Sequence, residues 1–501
     1  MANFALLLLA ASLAVFVSRS VLKHFLYHYR VRSNGCARPP KYAHKDPFFG
    51  LDLFAKYMNA FKDERFLDFN KQMFDRHGKT FESNVFGTRT FRTIDPEVSK
   101  ACFATYAPRF GLQPLRYEVA KHLWGNGIIV VDGEHWKHGR ALMRSSFEVV
   151  HLANFARLEK HVKVFVGLFP TDGTTLDLMP LFQRLILDTS SEFIFGEAIG
   201  ALDDPVFSGR LTEAFAYAQK GTAIRAMLKR LKFLHRDEKW WEACQMITDY
   251  ADKHVEKALQ RLDRRSLVKE EGKGNQDDPQ LRLVDEMVKD TQDTLTLRSH
   301  IISVFSPAHD GAAMTLTNAM FHLARQPAIW DRLREEIIPT KHESLTYDLL
   351  NSYRYVSHVL KETHRLTPIA TLNQRQCLET TILPFGGGLD GKEPLYVEKG
   401  DNLEFNYRAM MRDESFWGGE ADRFVPERWE HVRPGWEYTP FGGGPRSCPG
   451  QRLVFTESAY VLVTLLRKFS RVENRDAVTE WREEMRMTFQ SKNGCQVGLI
   501  A

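Results

Sequence analysis

The stretch Pro440-Phe441-Gly442-Gly443-Gly444-Pro445-Arg446-Ser447-Cys448-Pro449-Gly450 gathers several demanding residue types in one loop, and the helix-like run Leu453 to Leu466 follows at once. A cysteine thiolate holding a haem iron needs backbone N–H donors around sulfur to stabilise its charge. Consecutive glycines let the backbone turn into that position. Gly450 lets the loop approach a flat macrocycle, Arg446 offers a fixed cation suited to a propionate, and Phe441 can pack against the ring near sulfur. Cys448 is therefore the candidate metal ligand. A Gly-rich turn around an inert cysteine accounts for most lone cysteines, but not for this convergence.

Other chemistry-bearing residues lie upstream. Glu362 and Arg365 stand three apart in Glu362-Thr363-His364-Arg365, so a helix sets them on one face as an ion pair. Exposed, such a pair contributes about 0–1 kcal/mol; buried with Arg428 it must be complete, because an unpaired buried charge is strongly destabilising. Trp136 and Arg140, four apart, likewise share one helical face.

The loop matches the haem-binding signature F-x-x-G-x-R-x-C-x-G of the cytochrome P-450 family at every specified position, and the chain from about residue 40 onward resembles that family. The resemblance implies a single-domain P-450 fold, mainly α with a minor β region, around a buried haem b. Glu362 to Arg365 resembles the family's E-x-x-R element, and Phe424-Val425-Pro426-Glu427-Arg428-Trp429 resembles the segment supplying the second arginine. Glu362, Arg365 and Arg428 would then support the haem loop structurally. Trp136 and Arg140 resemble the pair that faces one haem propionate, and Arg375 is placed like the arginine that holds the other.

Ser306 to Thr315 resembles the long helix crossing the distal haem face, where the family pattern is A/G-G-x-D/E-T-T. Asp310 fits the acid, Pro307 and Ala308 replace the small pair, and Gly311 and Ala312 stand where threonines are usual. Proton delivery to oxygen is usually assigned to that acid and its neighbouring threonine. Asp310 and Ala312 are thus the catalytic positions, and Ala312 has no hydroxyl to hold a water. The proton route is expected to run through Asp310, ordered water or a polar group of the substrate. Pro307 lacks an N–H and its ring clashes with the Ser303 carbonyl, so the helix is expected to open there, weakened further by Gly311. Thr315, about one turn beyond Gly311, is a candidate substitute for the missing hydroxyl, with an ordinary helix-facing threonine the favoured reading, and His309 reads as solvated or pocket-lining rather than as a distal ligand.

The elements that must hold these residues are mostly helical. Phe155 to Phe169, Trp240 to Leu262 and Leu295 to Arg325 carry apolar residues three or four apart, whereas Thr380 to Leu383 and Leu395 to Val397 read as short strands. No fixed-period repeat or domain-separating linker appears, so residues 46–501 are expected to form one catalytic domain. Arg264 to Gln280 reads as a charged surface loop. A chain that is 43% hydrophobic, with 35 phenylalanines, can fill a large core. With 68 basic and 63 acidic residues the net charge of +5 gives no case for a nucleic-acid partner. The six cysteines lack metal-like spacing, and no N-glycosylation sequon occurs, which suits a body in the reducing cytosol.

Phe4 to Val17 is apolar, and Arg19, Lys23, Arg30 and Arg32 follow with no basic residue before it. This asymmetry predicts a retained membrane anchor over residues 1–29 with the body on the cytosolic side, although spans of about 20 apolar residues are usual. Residues 30–45, basic and containing Pro39-Pro40, read as a stiff connector.

The Gly-rich stretch Glu379 to Lys392 resembles an extended loop of fungal alkane and fatty-acid hydroxylases, as do Asp46 to Asp52 and Gly127 to Phe147. The resemblance implies a fungal enzyme in the endoplasmic reticulum membrane, taking NADPH-derived electrons from a flavin reductase docked near Lys137, His138 and Arg140. The distal departure favours tailoring of a large lipophilic secondary metabolite over fatty-acid hydroxylation; a haem-dependent isomerase is the alternative of another class. Expected pocket segments are Phe110 to Leu123, Phe215 to Leu234, Val304 to Ala308, Pro368 to Leu372 and Met487 to Gln490, and Arg225 to Lys232 is a candidate membrane-surface piece.

Overall fold

The computed structural model describes residues 2–46, 48–148, 154–270, 282–486 and 488–501. The predicted helices are present as Ala156–Gly167, Glu238–Glu270 and Thr294–Ala324. The predicted strands belong to a hairpin of Thr381–Gly387 with Glu393–Val397. Residues 264–270 of the expected surface loop continue a helix, while residues 271–280 and Met487 lie outside the described residues.

The minor β region is dominated by a five-stranded sheet in the order Thr80–Val85, Thr88–Thr93, Asn402–Asn406, Leu372–Cys377, Phe110–Gly111. Its register sets Asn373 opposite Phe405 and Arg375 opposite Leu403. Side chains alternate along a strand, so Asn373 and Arg375 point to the same face.

Helix Thr294–Ala324 runs through the core between Leu178–Phe195 and Gln451–Lys468. Asp293 caps it, its carboxylate accepting the Thr296 N–H at 3.1 Å. Leu297, Ile301, Phe305, Met314, Leu316 and Leu323 are buried, as a helix that is apolar all round requires. Pro307 does not open it, contrary to expectation: the helix is continuous. The cost is local, since without an amide hydrogen at 307 the Ser303 carbonyl loses its usual donor four residues on.

Ala2–Ser33 is one helix whose second half is docked on the body. Tyr27 and Val31 are buried, the Arg89 guanidinium lies 3.3 Å over the centre of the Tyr27 ring, and Arg30 pairs with Glu398 at 2.8 Å. The expected connector is tied down as well: Ala37 N donates to the Pro394 carbonyl at 3.0 Å, Arg38 pairs with Glu82 at 2.7 Å, and Tyr42 N donates to the Glu82 carbonyl at 2.9 Å. Among the described residues no helix is long and apolar enough to cross a membrane, so the expected transmembrane helix over residues 1–29 is not supported. Arg225, in a segment that reads equally as a membrane-surface piece or a solvated helix, is instead buried with its guanidinium 4.6 Å over the Trp240 ring.

Candidate functional site

Steric exclusion shapes the loop 440–450. A Cβ on Gly444, whose φ is +68°, would stand 1.9 Å from the Phe103 carbonyl oxygen, and one on Gly443 would stand 2.3 Å from the Trp436 ring. Cys448 N donates to the Phe441 carbonyl at 3.0 Å, which brings sulfur to the start of helix Gln451–Lys468. The side chain is open to its surroundings, yet the protein mass around it pushes the Cys448 thiol up. The N–H groups of Gly450 and Gln451 and the Arg140 guanidinium act in the opposite direction, as donors to a thiolate must.

Four guanidinium groups gather beside this loop. Arg446 donates to the Val131 carbonyl at 2.8 Å and to Asp132 Oδ1 at 2.7 Å, and its guanidinium lies 4.4 Å over the Trp136 ring. Arg375 is buried and donates to Asn373 Oδ1 at 2.8 Å; Arg116 donates to the same oxygen at 3.2 Å. Burial lowers all four, Arg375 and Arg446 to about 10, with Arg116 and Arg140 moved in the same direction. Asp132 is the carboxylate that offsets the charge of Arg116, Arg375 and Arg446. A desolvated surplus of positive charge fits anionic groups brought by a ligand.

Sequence reading found three of these arginines and missed Arg116, Asp132 and Asn373. Their signal was faint. Arg116 is one cation on the helix Gln113–Trp124, and Asp132 reads as a cap of the helix Gly133–Leu142. Its carboxylate instead accepts the N–H groups of Leu112 and Gln113, at 2.9 and 2.8 Å.

Glu362, Arg365 and Arg428 come together in one buried cluster. Glu362 accepts two bonds from Arg365, both at 2.9 Å, and one each from Arg428 Nε and Val425 N at 2.9 Å and Trp429 Nε1 at 3.0 Å. Arg365 spends its remaining donors on the carbonyls of Met411, Ala421 and Arg423. Both side chains of the Glu362–Arg365 pair have 0% exposure, so completeness is what makes the pair tolerable.

On the distal helix, Asp310 is buried and accepts from Gln219 Nε2 at 3.4 Å. His309 hydrogen-bonds through Nδ1 to the Phe305 carbonyl at 2.9 Å and packs on Phe215, so it lines the interior. Pro307, Ala308 and Gly311 form an accessible stripe in the middle of the helix. Ala312, expected at the reaction centre, is packed in the core with Met314 and Leu316. The position that lacks a hydroxyl on the open face is therefore Gly311, one residue earlier. A Cβ there would meet only Val454 Cγ2, at 3.4 Å.

The donors converging on Cys448, the surplus guanidinium charge and the aromatic Phe441 fit a thiolate-ligated, dianionic macrocycle, which defines a haem-thiolate class of protein. Residues 40–494 match the family model for Cytochrome P450. The chain is 36% identical over 504 residues to the cytochrome P450 monooxygenase iccC of Talaromyces variabilis, covering 99% of this chain and 98% of that relative. It is 33% identical over 479 residues to apdE of Emericella nidulans, covering 95% and 91%, and 32% identical over 498 residues to tenA of Beauveria bassiana, covering 98% and 97%; both are named cytochrome P450 monooxygenases. The chain belongs to the cytochrome P450 family, and with that membership come a haem on a cysteine thiolate and a monooxygenase activity.

Proposed function

We propose that this monooxygenase tailors a large lipophilic intermediate of fungal secondary metabolism, and that it oxidises by hydrogen abstraction leading to dehydrogenation or ring rearrangement, with hydroxylation as the competing outcome. The observation that carries this reading is the distal stripe of Pro307, Ala308 and Gly311, which presents no hydroxyl beside the buried acid Asp310. Cys448 would hold the iron, and Trp136, Arg140, Arg446, Arg375 and Arg116 the propionates. Bound there, the haem-thiolate supplies reductive activation of O2. The chain's own part is to donate N–H bonds to sulfur, neutralise the propionates, exclude water along the apolar stripe and keep Asp310 as the acid nearest to it.

Electrons would come from NADPH through a reductase docking at the exposed Lys137 and His138, beside Arg140. An endoplasmic reticulum location, with the body in the cytosol, belongs to the same proposal. It is supported by the exposed apolar residues Phe4, Val15, Val17, Leu22 and Phe25 ahead of Arg30 and Arg32.

Turnover of the purified protein with reductase, NADPH and labelled O2 tests the reading against polyketide-like and terpene-like intermediates and against fatty acids. The expected product from the former is desaturated or rearranged and carries no label. A labelled hydroxyl on a fatty acid as the main product would overturn it.

A further inference from the structure

The distal helix carries two weak points in one stretch, the Ser303 carbonyl deprived of a donor by Pro307 and the flexible Gly311, yet it remains helical from Thr294 to Ala324. The next turn shows what holds it. Thr315 Oγ1 donates to the Gly311 carbonyl at 2.8 Å, and in the helix that carbonyl also accepts the Thr315 amide. Both of its lone pairs are then engaged, so it has none left for water.

Thr315 has spent its only hydroxyl proton, and its oxygen faces His364 Nε2 at 3.4 Å. The imidazole must therefore donate from Nε2. Burial pushes His364 down to about 3, so the ring is neutral and carries a single N–H. The ring itself is clamped. It packs on Phe441 at 4.8 Å and on Phe455 at 5.2 Å, and its chain neighbours Glu362 and Arg365 are fixed by the buried ion pair. Phe441 is also the residue whose carbonyl accepts the Cys448 N–H. One imidazole thus touches the thiolate loop on one side and the distal helix on the other.

We infer that His364 is a positioning residue which, through Thr315, keeps the turn of the distal helix at Gly311 closed to water. The inference rests on the proposed reading that this turn borders the reaction centre. It leaves the Ser303 carbonyl, two turns upstream, as the one in this stretch without its usual amide donor. It also removes Thr315 from proton delivery, because its hydroxyl is engaged at both ends.

Hydrogen exchange on the haem-loaded full chain, read without substrate or reductase, tests this. In His364→Leu, peptides spanning residues 308–318 should exchange roughly fivefold to tenfold faster, the loss expected for one net hydrogen bond, while residues 295–302 stay unchanged. His364→Gln, which keeps an N–H donor at similar reach, should restore protection. Thr315→Val should give the same acceleration, and the double variant no more than either alone. Unchanged exchange in the single variants, equal exchange in the Gln and Leu variants, or an additive double variant would overturn the inference. Should His364→Leu fail to fold, the comparison of His364→Gln with Thr315→Val remains: protection kept in the first and lost in the second is expected, and unchanged exchange in Thr315→Val, which removes both the His364 contact and the bond to the Gly311 carbonyl, would overturn the inference. An error in the proposed substrate or outcome leaves these exchange rates untouched, so the two failures are distinguishable.

Discussion

Asp132 accepts a hydrogen bond from Arg446 at 2.7 Å and, as the carboxylate among four desolvated guanidinium groups, leaves them with a net positive balance. That balance is what makes the pocket selective for a ligand carrying two carboxylates. Arg116→Leu should weaken haem retention about as much as Arg375→Leu, roughly tenfold to a hundredfold, the range of one charge-assisted bond. Haem transfer to apomyoglobin measures it. Retention equal to that of the unmodified protein would exclude Arg116 from the propionate site.

Glu362→Gln keeps the shape of the buried cluster and removes its negative charge, leaving Arg365 and Arg428 facing each other without compensation. A loss of about 3–5 kcal/mol is expected, with haem content falling in parallel. Denaturant unfolding and haem quantitation check both. A surface-like change below about 1 kcal/mol would mean that the pair is solvated.

Gly311→Thr and Ala312→Thr should behave differently although they are neighbours. At Gly311 an added Cβ meets only Val454 Cγ2 at 3.4 Å, so the variant should fold with small cost and shift product toward oxygen insertion. At Ala312 the side chain enters the core beside Met314 and Leu316, and overpacking should cost about 1–3 kcal/mol without changing the product. Thermal melts and product analysis with labelled O2 separate the two.

Glu457 lies buried in the helix Gln451–Lys468, and burial pushes its carboxyl up to about 7 from 4.5, with Arg157 acting the other way. The folded chain therefore keeps a proton that the unfolded chain has released. This stabilisation is complete below about pH 4.5 and is lost as pH rises through about 7. Glu457→Gln should flatten the slope of stability with pH in that window and raise stability above it, by at most roughly 3 kcal/mol. Asp401, also raised to about 7, should preserve a residual slope.

Lys137→Glu reverses an exposed charge on the surface beside Arg140 and should slow reduction by the reductase while leaving haem content unchanged. Stopped-flow reduction at low and physiological salt checks this, since a steering effect shrinks as salt rises. Unaltered rates would move the docking surface elsewhere.

What could be read from the sequence was whatever is local. The Cys448 loop, the Glu362 to Arg365 spacing and the long apolar helices each announce themselves within a few residues. Arg116, Asn373 and Asp132 come together only because the sheet register and the cap of the helix Gln113–Trp124 fold distant segments against one another. The choice between Gly311 and Ala312 likewise needed the helix's rotation, which composition does not set. The docking of Tyr27 was hidden because its partners, Tyr396 and Arg89, lie far along the chain.

Every role assigned to this chain depends on a Cys448 thiolate bound to haem iron, which the absorption spectrum of the reduced protein under carbon monoxide reports. The unmodified protein should show the long-wavelength Soret band of a thiolate-ligated haem, and Cys448→Ser should lose it while the rest of the fold survives. A fully haem-loaded, unmodified protein without that band, or a serine variant that keeps it, would rule out Cys448 as the iron ligand.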